Sequence, residues 1–131
     1  MGNRAVITTE AKEIGVYLHW NGGRDSVEPI LAVCKQLGHR SPERDCYGFA
    51  RLCQVIGNYF GGSLSVGVGP YNKLDTDNGD NGVYVIKNWE IVDRLHHKGA
   101  EQARHKFDEM VVDILSRQPA VARGELCTQT P

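Results

Sequence analysis

Apolar and polar positions alternate in two segments near the N-terminus. Residues 4–8 (RAVIT) and 14–20 (IGVYLHW) are rich in β-branched and aromatic side chains, and the polar stretch TEAKE lies between them. Because successive side chains of a strand point to opposite faces, this alternation predicts two strands. The connection is short, so we expect an N-terminal β-hairpin.

The spacing of apolar residues changes to three and four positions in the next two segments, as in amphipathic helices. The first helix is predicted over residues 26–37, with Asp25 or Ser26 as its N-cap and a glycine after its end. The second is predicted over residues 42–60, with Ser41 as its cap, a proline at its first position and two glycines after it. Each helix would present one apolar side to a common core.

The second half of the chain contains three more strand-like segments and one helix. A short strand is predicted near residues 63–68, a polar loop at 70–82, and a hairpin over 83–95 that turns near Asn88. Apolar residues at helical spacing predict a last helix from about residue 99 to residue 117. The element order is therefore β-β-α-α-β-β-β-α.

This order predicts an α+β fold, in which antiparallel β-hairpins carry about three helices packed on one side. The 131 residues contain no linker, repeat or low-complexity tract, so we expect a single domain over residues 1–131. Residues 118–131 show no periodicity and are predicted to form a flexible tail.

Charge and composition narrow the functional classes. The formal net charge of −1 gives no overall attraction for DNA, RNA or an acidic membrane, so an anionic ligand would need a local cluster of positive groups. The sequence has neither an apolar run of about eighteen residues nor an N-terminal signal pattern. We therefore expect a cytoplasmic protein whose four cysteines are reduced.

Two segments could supply positive charge next to polar or aromatic groups. The segment NGGRD (21–25) joins a strand end to a helix start through two glycines. This arrangement is typical of an anion-binding turn, in which Arg24 would supply the charge. The Asn-Gly pair equally indicates a plain turn. On the second predicted helix, Tyr47 and Arg51 belong to a polar stripe at steps of three and four residues. That stripe is either a nucleotide-reading surface or an ordinary solvated face.

A third segment, residues 94–106, is the most densely basic part of the chain. Arg104 lies there at the edge of the apolar side of the last predicted helix. It is placed either to contact a ligand or partner subunit, or to form an ordinary ion pair with Glu101 or Asp108.

The acidic residues and cysteines of the sequence do not have the spacing of a known metal site or catalytic centre. Counting from Asp75, the acidic loop lacks the glycine and glutamate that a calcium loop needs at its sixth and twelfth positions. The cysteines form no CxxC pair, and no paired carboxylates suggest acid-base catalysis. We expect no metal, no cofactor and no enzymatic activity. A small nucleotide-processing enzyme and a protein–protein inhibitor of a host factor are the alternatives.

Three stretches, GVYLHWNGGRDSVEPILAVCK, DCYGFARLCQVIGNYFGG and DNGDNGVYVIKNWEIV, resemble a family of small phage proteins that counter the bacterial Thoeris defence system, the first-described Thoeris anti-defence "sponges". The resemblance implies a non-catalytic ligand-binding domain that sequesters cyclic ADP-ribose isomers, the signals made by TIR-domain enzymes. Some members also bind cyclic oligonucleotides. It further implies a homo-oligomer of dimers, such as a hexamer, with pockets near subunit contacts, in the cytoplasm of the infected bacterial host.

A cyclic ligand with two phosphates calls for guanidinium groups, an aromatic platform and amides rather than a general base. Tyr71, in a loop after Gly69 and Pro70, is the predicted stacking residue, and Asn81 is predicted to contact a ribose or base edge. The predicted ligand-binding residues are Arg24, Tyr47, Arg51, Tyr71, Asn81 and Arg104.

Overall fold

Strands from both halves of the chain meet in one mixed sheet. The computed structural model describes residues 2–62, 64–101 and 106–120, and within these ranges five strands pair in the order β3-β2-β1-β4-β5. The strands are β1 (Ala5–Thr9), β2 (Ile14–Leu18), β3 (Val66–Pro70), β4 (Val83–Lys87) and β5 (Glu90–Leu95). The helices are α1 (Arg24–Gln36), α2 (Cys46–Phe60) and α3 (Phe107–Ser116), and a 3₁₀ turn spans Tyr71–Lys73. The predicted α+β class and element order are confirmed.

Strand β1 lies in the middle of the sheet because both of its edges are paired. Its antiparallel pairing with β2 forms the predicted N-terminal hairpin, and its pairing with β4 is parallel. Strand β3 extends the β2 edge and β5 extends the β4 edge, both antiparallel. The predicted second hairpin is also present, and Asn88 and Trp89 form its turn with positive φ angles. The parallel β1–β4 pair was not foreseen from the sequence, because neither strand's own pattern identifies its partner.

Helix α1 begins earlier than the sequence indicated. Its N-cap is Gly23, whose carbonyl accepts hydrogen bonds from the amides of Ser26 (3.0 Å) and Val27 (2.9 Å). Asp25 and Ser26, the two predicted caps, therefore lie inside the first turn. The predicted end is close to the observed one, since Gly38 adopts the left-handed conformation directly after the C-cap.

Helix α2 begins later than predicted. Its N-cap is Asp45, whose carboxylate accepts the amide of Tyr47 at 3.0 Å, whereas Ser41 belongs to a preceding turn. That turn packs against Gly48, where an added Cβ would collide with the Ser41 backbone. Cys46 is exposed at the first helical position. The shift places Tyr47 at the start of the helix, next to the loop that leaves α1.

The last helix begins at Phe107 rather than near residue 99, whereas its end at Ser116, with Arg117 as C-cap, agrees with the prediction. Residues 99–101 are not helical, and residues 102–105 lie outside the described part of the chain. After α3, Gln118 is only 3% exposed instead of belonging to a flexible tail. The rest of the predicted tail, from residue 121 onward, also lies outside the described residues.

The three described helices pack on one face of the sheet, as expected. Side chains from β1, β2 and β4 form a single apolar core with residues from all three helices. Of the described helices, none is long and apolar enough to cross a membrane. The largest members of this core include Ile7, Leu18, Tyr84, Ile30, Leu52 and Ile114.

A second, smaller apolar cluster covers the opposite face of the sheet. Its buried members are Val6, Val83 and Val85, and the loop between β3 and β4 packs over them. Tyr71 and Leu74 are the side chains that this loop contributes. The loop is therefore a structural layer of the domain, which changes the interpretation of two predicted ligand residues.

Candidate functional site

The connection between α1 and α2 forms one wall of a surface depression. The amide of His39 donates to the Cys34 carbonyl at 3.2 Å, which ties the loop to the end of α1. The Trp89 indole donates to the His39 carbonyl at 2.8 Å, and Trp89 itself is 4% exposed. The buried Trp89 ring, from the turn between β4 and β5, thus fixes the backbone of His39 beside the start of α2.

Tyr47 provides the aromatic surface of this depression. Its side chain is 51% exposed, and the guanidinium carbons of Arg40 and Arg51 lie 5.1 and 5.5 Å from its ring centre. Both distances are within the range of cation–π attraction. The structure therefore brings together two predicted residues, Tyr47 and Arg51. The Tyr47 depression has a volume of about 360 Å³ and is lined by Gly38, His39, Arg40, Tyr47 and Arg51.

The two arginines beside Tyr47 are held differently. Arg40 donates to the Asp45 carboxylate at 2.9 Å. Desolvation raises the pKa of Asp45, but the hydrogen bonds from Arg40 and the Tyr47 amide together lower it by more. The pKa of Asp45 therefore lies below its ordinary value. Within the described residues, Arg51 forms one side-chain hydrogen bond, to the Gln54 side-chain oxygen at 3.5 Å, and no ion pair with a carboxylate. Arg51 is the guanidinium that a ligand could recruit most easily.

His39 adds a polar group without adding charge at neutral pH. Burial lowers the pKa of His39, and the nearby charge of Arg51 lowers it further. A neutral imidazole can donate one hydrogen bond and accept another. The positive charge of the depression therefore comes from its two arginines.

Arg24 does not line the Tyr47 depression. It donates to Glu28 at 3.2 Å and to Glu101 at 3.0 Å. The hydrogen bond to Glu28 is the largest cause of its raised pKa. The guanidinium is therefore already engaged by two carboxylates.

Tyr71 and Asn81 contribute to the structure of the β3–β4 loop. Tyr71 packs on the small apolar cluster, and burial raises its pKa. The sequence pattern suggested no core face for this ring, because the second covered face of the sheet could not be seen from it. The Asn81 side chain donates to the Asn3 side-chain oxygen at 2.6 Å and to the Arg4 carbonyl at 3.1 Å. Both residues join the loop to the sheet.

Arg104 lies outside the described residues. Its predicted alternative partner, Glu101, forms ion pairs with Arg24 and Arg94 and lies 3.7 Å from the His97 ring nitrogen. The basic segment thus contributes Arg94 and His97 to a cluster around one carboxylate.

Sequence reasoning did not identify Arg40 and His39 as site residues. They fall in GHRSP, at the boundary between the two predicted helices. The signal was present, since an arginine and a histidine in a loop directly before a capped helix are placed to face a ligand.

A second depression, of about 350 Å³, was also missed. Three aromatic rings line it, and that of Trp20 is exposed. The Arg117 guanidinium lies 5.4 Å from the Tyr59 ring centre and pairs with Asp113 at 3.2 Å. Its lining residues are Trp20, Asn21, Tyr59, Phe60, Ser65 and Arg117.

Comparisons with protein-family models, curated proteins and solved structures find no match for this chain. Among the described residues there is also no group of three or more histidine, cysteine or acidic side chains that could hold a metal ion. A functional proposal must therefore come from the geometry of the Tyr47 depression and from the residues of the sequence.

Proposed function

We propose that this chain is a phage anti-defence protein that binds cyclic ADP-ribose isomers made by TIR-domain immune enzymes and holds them intact. Cyclic oligonucleotide signals are proposed as further ligands because they present the same bases and phosphates. The protein would act in the cytoplasm of the infected bacterium as a homo-oligomer of dimers, such as a hexamer. The observation that carries the proposal is the exposed Tyr47 ring with two guanidiniums within cation–π distance of it.

The Tyr47 depression suits a base joined to phosphates. A base that stacks on the Tyr47 ring in place of a guanidinium would displace Arg51, the more weakly held of the two. As Arg51 turns away from the ring, its N–H groups can donate to a phosphate of the same ligand. Stacking contributes about 1–3 kcal/mol, and a charge-assisted hydrogen bond contributes about 1.5–3 kcal/mol.

These two contacts do not account for tight capture. Together they supply about 2.5–6 kcal/mol, whereas nanomolar binding corresponds to about 12 kcal/mol. Further contacts must supply the difference, and a neighbouring subunit could provide them in the proposed oligomer. We therefore expect the affinity of the protein to depend on its assembly.

Binding is favoured over cleavage by the state of the acidic group beside the ring. The Asp45 carboxylate accepts hydrogen bonds from Arg40 and from the Tyr47 amide. These contacts keep its pKa low, which makes it a poor proton acceptor for a ligand. The rival enzyme hypothesis predicts a chemically altered ligand, so the two hypotheses can be separated directly.

The test is capture followed by release. Purified protein is incubated separately with cyclic ADP-ribose isomers and cyclic oligonucleotides, free ligand is removed, the protein is heat-denatured, and the released molecules are identified by mass spectrometry. We expect the unmodified ligand. Arg51→Ala should weaken binding by about tenfold or more, since it removes at least about 1.5 kcal/mol.

Two matched arginine variants locate the site. Arg44→Ala changes an exposed arginine that does not line the Tyr47 depression and should leave affinity unchanged. Arg117→Ala alters the second depression and should also have little effect. Release of a cleaved product would reject the non-catalytic function, and a loss of binding in Arg117→Ala but not in Arg51→Ala would reject the Tyr47 depression as the site.

A further inference from the structure

Two arginines from different elements converge on a single carboxylate oxygen. The Nη1 atom of Arg24 lies 3.0 Å from Oε2 of Glu101, and the Nη1 atom of Arg94 donates to the same oxygen. We propose that Arg24 and Arg94 form an oxyanion-binding site, in which the chain's own Glu101 carboxylate occupies the position of a ligand phosphoryl or carboxylate group. This site is separate from the Tyr47 depression, and its existence does not depend on the proposed function.

Arg94 is fixed in position before any ligand arrives. Its side chain is 12% exposed, and its guanidinium lies 3.8 Å from the ring centre of Tyr84. Its Nε atom donates to the Val83 carbonyl at 3.2 Å, and its Nη2 atom donates to the Asn81 carbonyl at 2.6 Å. These neutral partners leave Nη1 for an anion. A group held in this way loses little freedom on binding, which favours recognition of an oxyanion.

Arg94 also requires an anion for its charge. Among the residues that the structure describes, Glu101 is the one carboxylate that forms an ion pair with it. A guanidinium whose side chain is only 12% exposed is costly to leave without a negative partner. If Glu101 leaves, another oxyanion is the group that satisfies Arg94.

The second wall of the site is Arg24, at the first turn of α1. Its Nη2 atom is held by Glu28 at 3.2 Å, which directs Nη1 toward Glu101. Without Glu101, the two Nη1 groups would face the same point with no carboxylate oxygen between them. That arrangement suits a single oxyanion bridging the two guanidiniums.

Glu101 is attached in a way that permits exchange. Its side chain is 34% exposed, and residues 96–101 belong to neither a helix nor a strand. Neither apolar cluster of the described chain includes a residue from this segment. The contacts that hold the Glu101 side chain are polar, so an anion with similar oxygens could replace it.

The tethered carboxylate also explains how the site would select its ligand. A group on the same chain has an effective concentration of about the millimolar range or above, so it competes well with simple anions. Only an oxyanion that makes further contacts would displace Glu101 from the intact protein. Removing Glu101 should therefore expose the affinity of the site for simple anions.

The experiment compares the full-length protein with Glu101→Ala and, as a control, Glu90→Ala. Glu90 is an exposed carboxylate of β5 with its own partner, Lys35, at 2.7 Å. Inorganic phosphate, acetate and chloride are titrated at matched ionic strength, and binding is followed by calorimetry and by the thermal midpoint. We expect Glu101→Ala to bind phosphate or acetate at least about tenfold more tightly than the wild type, with Glu90→Ala unchanged. The preferred anion identifies a phosphoryl or a carboxylate ligand.

Two double variants show whether the gain comes from this site. Adding Arg24→Ala to Glu101→Ala should abolish the gain, whereas adding Arg51→Ala should not affect it. If Glu101→Ala is unstable, phosphate or acetate should raise its thermal midpoint more than the same ionic strength of chloride. Equal effects of all three anions, no gain over the wild type, or a gain that survives Arg24→Ala would each overturn the proposal.

Discussion

Gln118 should contribute to the stability of this domain. The sequence predicted that this residue begins a flexible tail, but in the structure it follows the C-cap of α3 and is buried. Its amide nitrogen donates to the Val55 carbonyl at 3.1 Å and to the Ile114 carbonyl at 3.2 Å. Its amide oxygen accepts a hydrogen bond from Asn58 at 2.9 Å. One side chain thus connects α2 with the end of α3, and replacing it with alanine removes all three contacts.

The expected loss follows from the number of these contacts. A neutral hydrogen bond contributes about 1 kcal/mol, so three of them suggest a destabilisation of about 3 kcal/mol for Gln118→Ala. With an m-value of about 2 kcal/mol/M in urea, the unfolding midpoint should fall by about 1.5 M. Asn58→Ala removes only one of the three contacts and should cost about 1 kcal/mol.

A double-mutant cycle in urea isolates the contact between the two amides. The two single variants and the double variant should show a coupling free energy of about 0.5–1.5 kcal/mol. Ser116→Ala, at an exposed position of the same helix, serves as the control and should change the midpoint little. A Gln118→Ala midpoint equal to that of the wild type would show that residue 118 does not anchor α3, whereas zero coupling would show that the Asn58 contact contributes nothing.

Two further predictions concern the titratable groups. Cys34 is buried, which raises the pKa of its thiol, whereas Cys46 is exposed. A thiol reagent at neutral pH should therefore modify Cys46 in the native protein and reach Cys34 only on unfolding. Equal labelling of the two cysteine-containing peptides, measured by mass spectrometry, would contradict this. Because burial lowers the pKa of His39, the unfolded chain takes up a proton more readily than the folded one, and stability should decrease as the pH falls below about 6.5. The free energy of unfolding is measured in urea between about pH 7 and about pH 5.5, and it should fall less with pH in His39→Gln than in the wild type. The same pH dependence in both proteins would show that His39 is not the group responsible.

Local sequence patterns were sufficient to predict the strands and helices and to predict one pair of residues in the Tyr47 depression. Strand and helix periodicities depend on neighbouring positions, so they predicted the order of strands and helices and both hairpins. Tyr47 and Arg51 are four positions apart on a helix, so they lie on the same side of it and were predicted together. Helix starts were less accurate, because the observed caps, Gly23 and Asp45, competed with other residues that are equally suitable as caps.

The sequence by itself determined the α+β class, the amphipathic helices and the polar stripe of α2, because these follow from the spacing of side chains along one segment. Only the tertiary structure decided which segments meet. The parallel pairing of β1 with β4 and the position of Tyr71 on the second face of the sheet depend on residues far apart in the chain. The same holds for the convergence of Arg24 and Arg94 on Glu101. Contacts of this kind are selected by the burial of apolar surface and the pairing of charges across the whole domain, which no local spacing records.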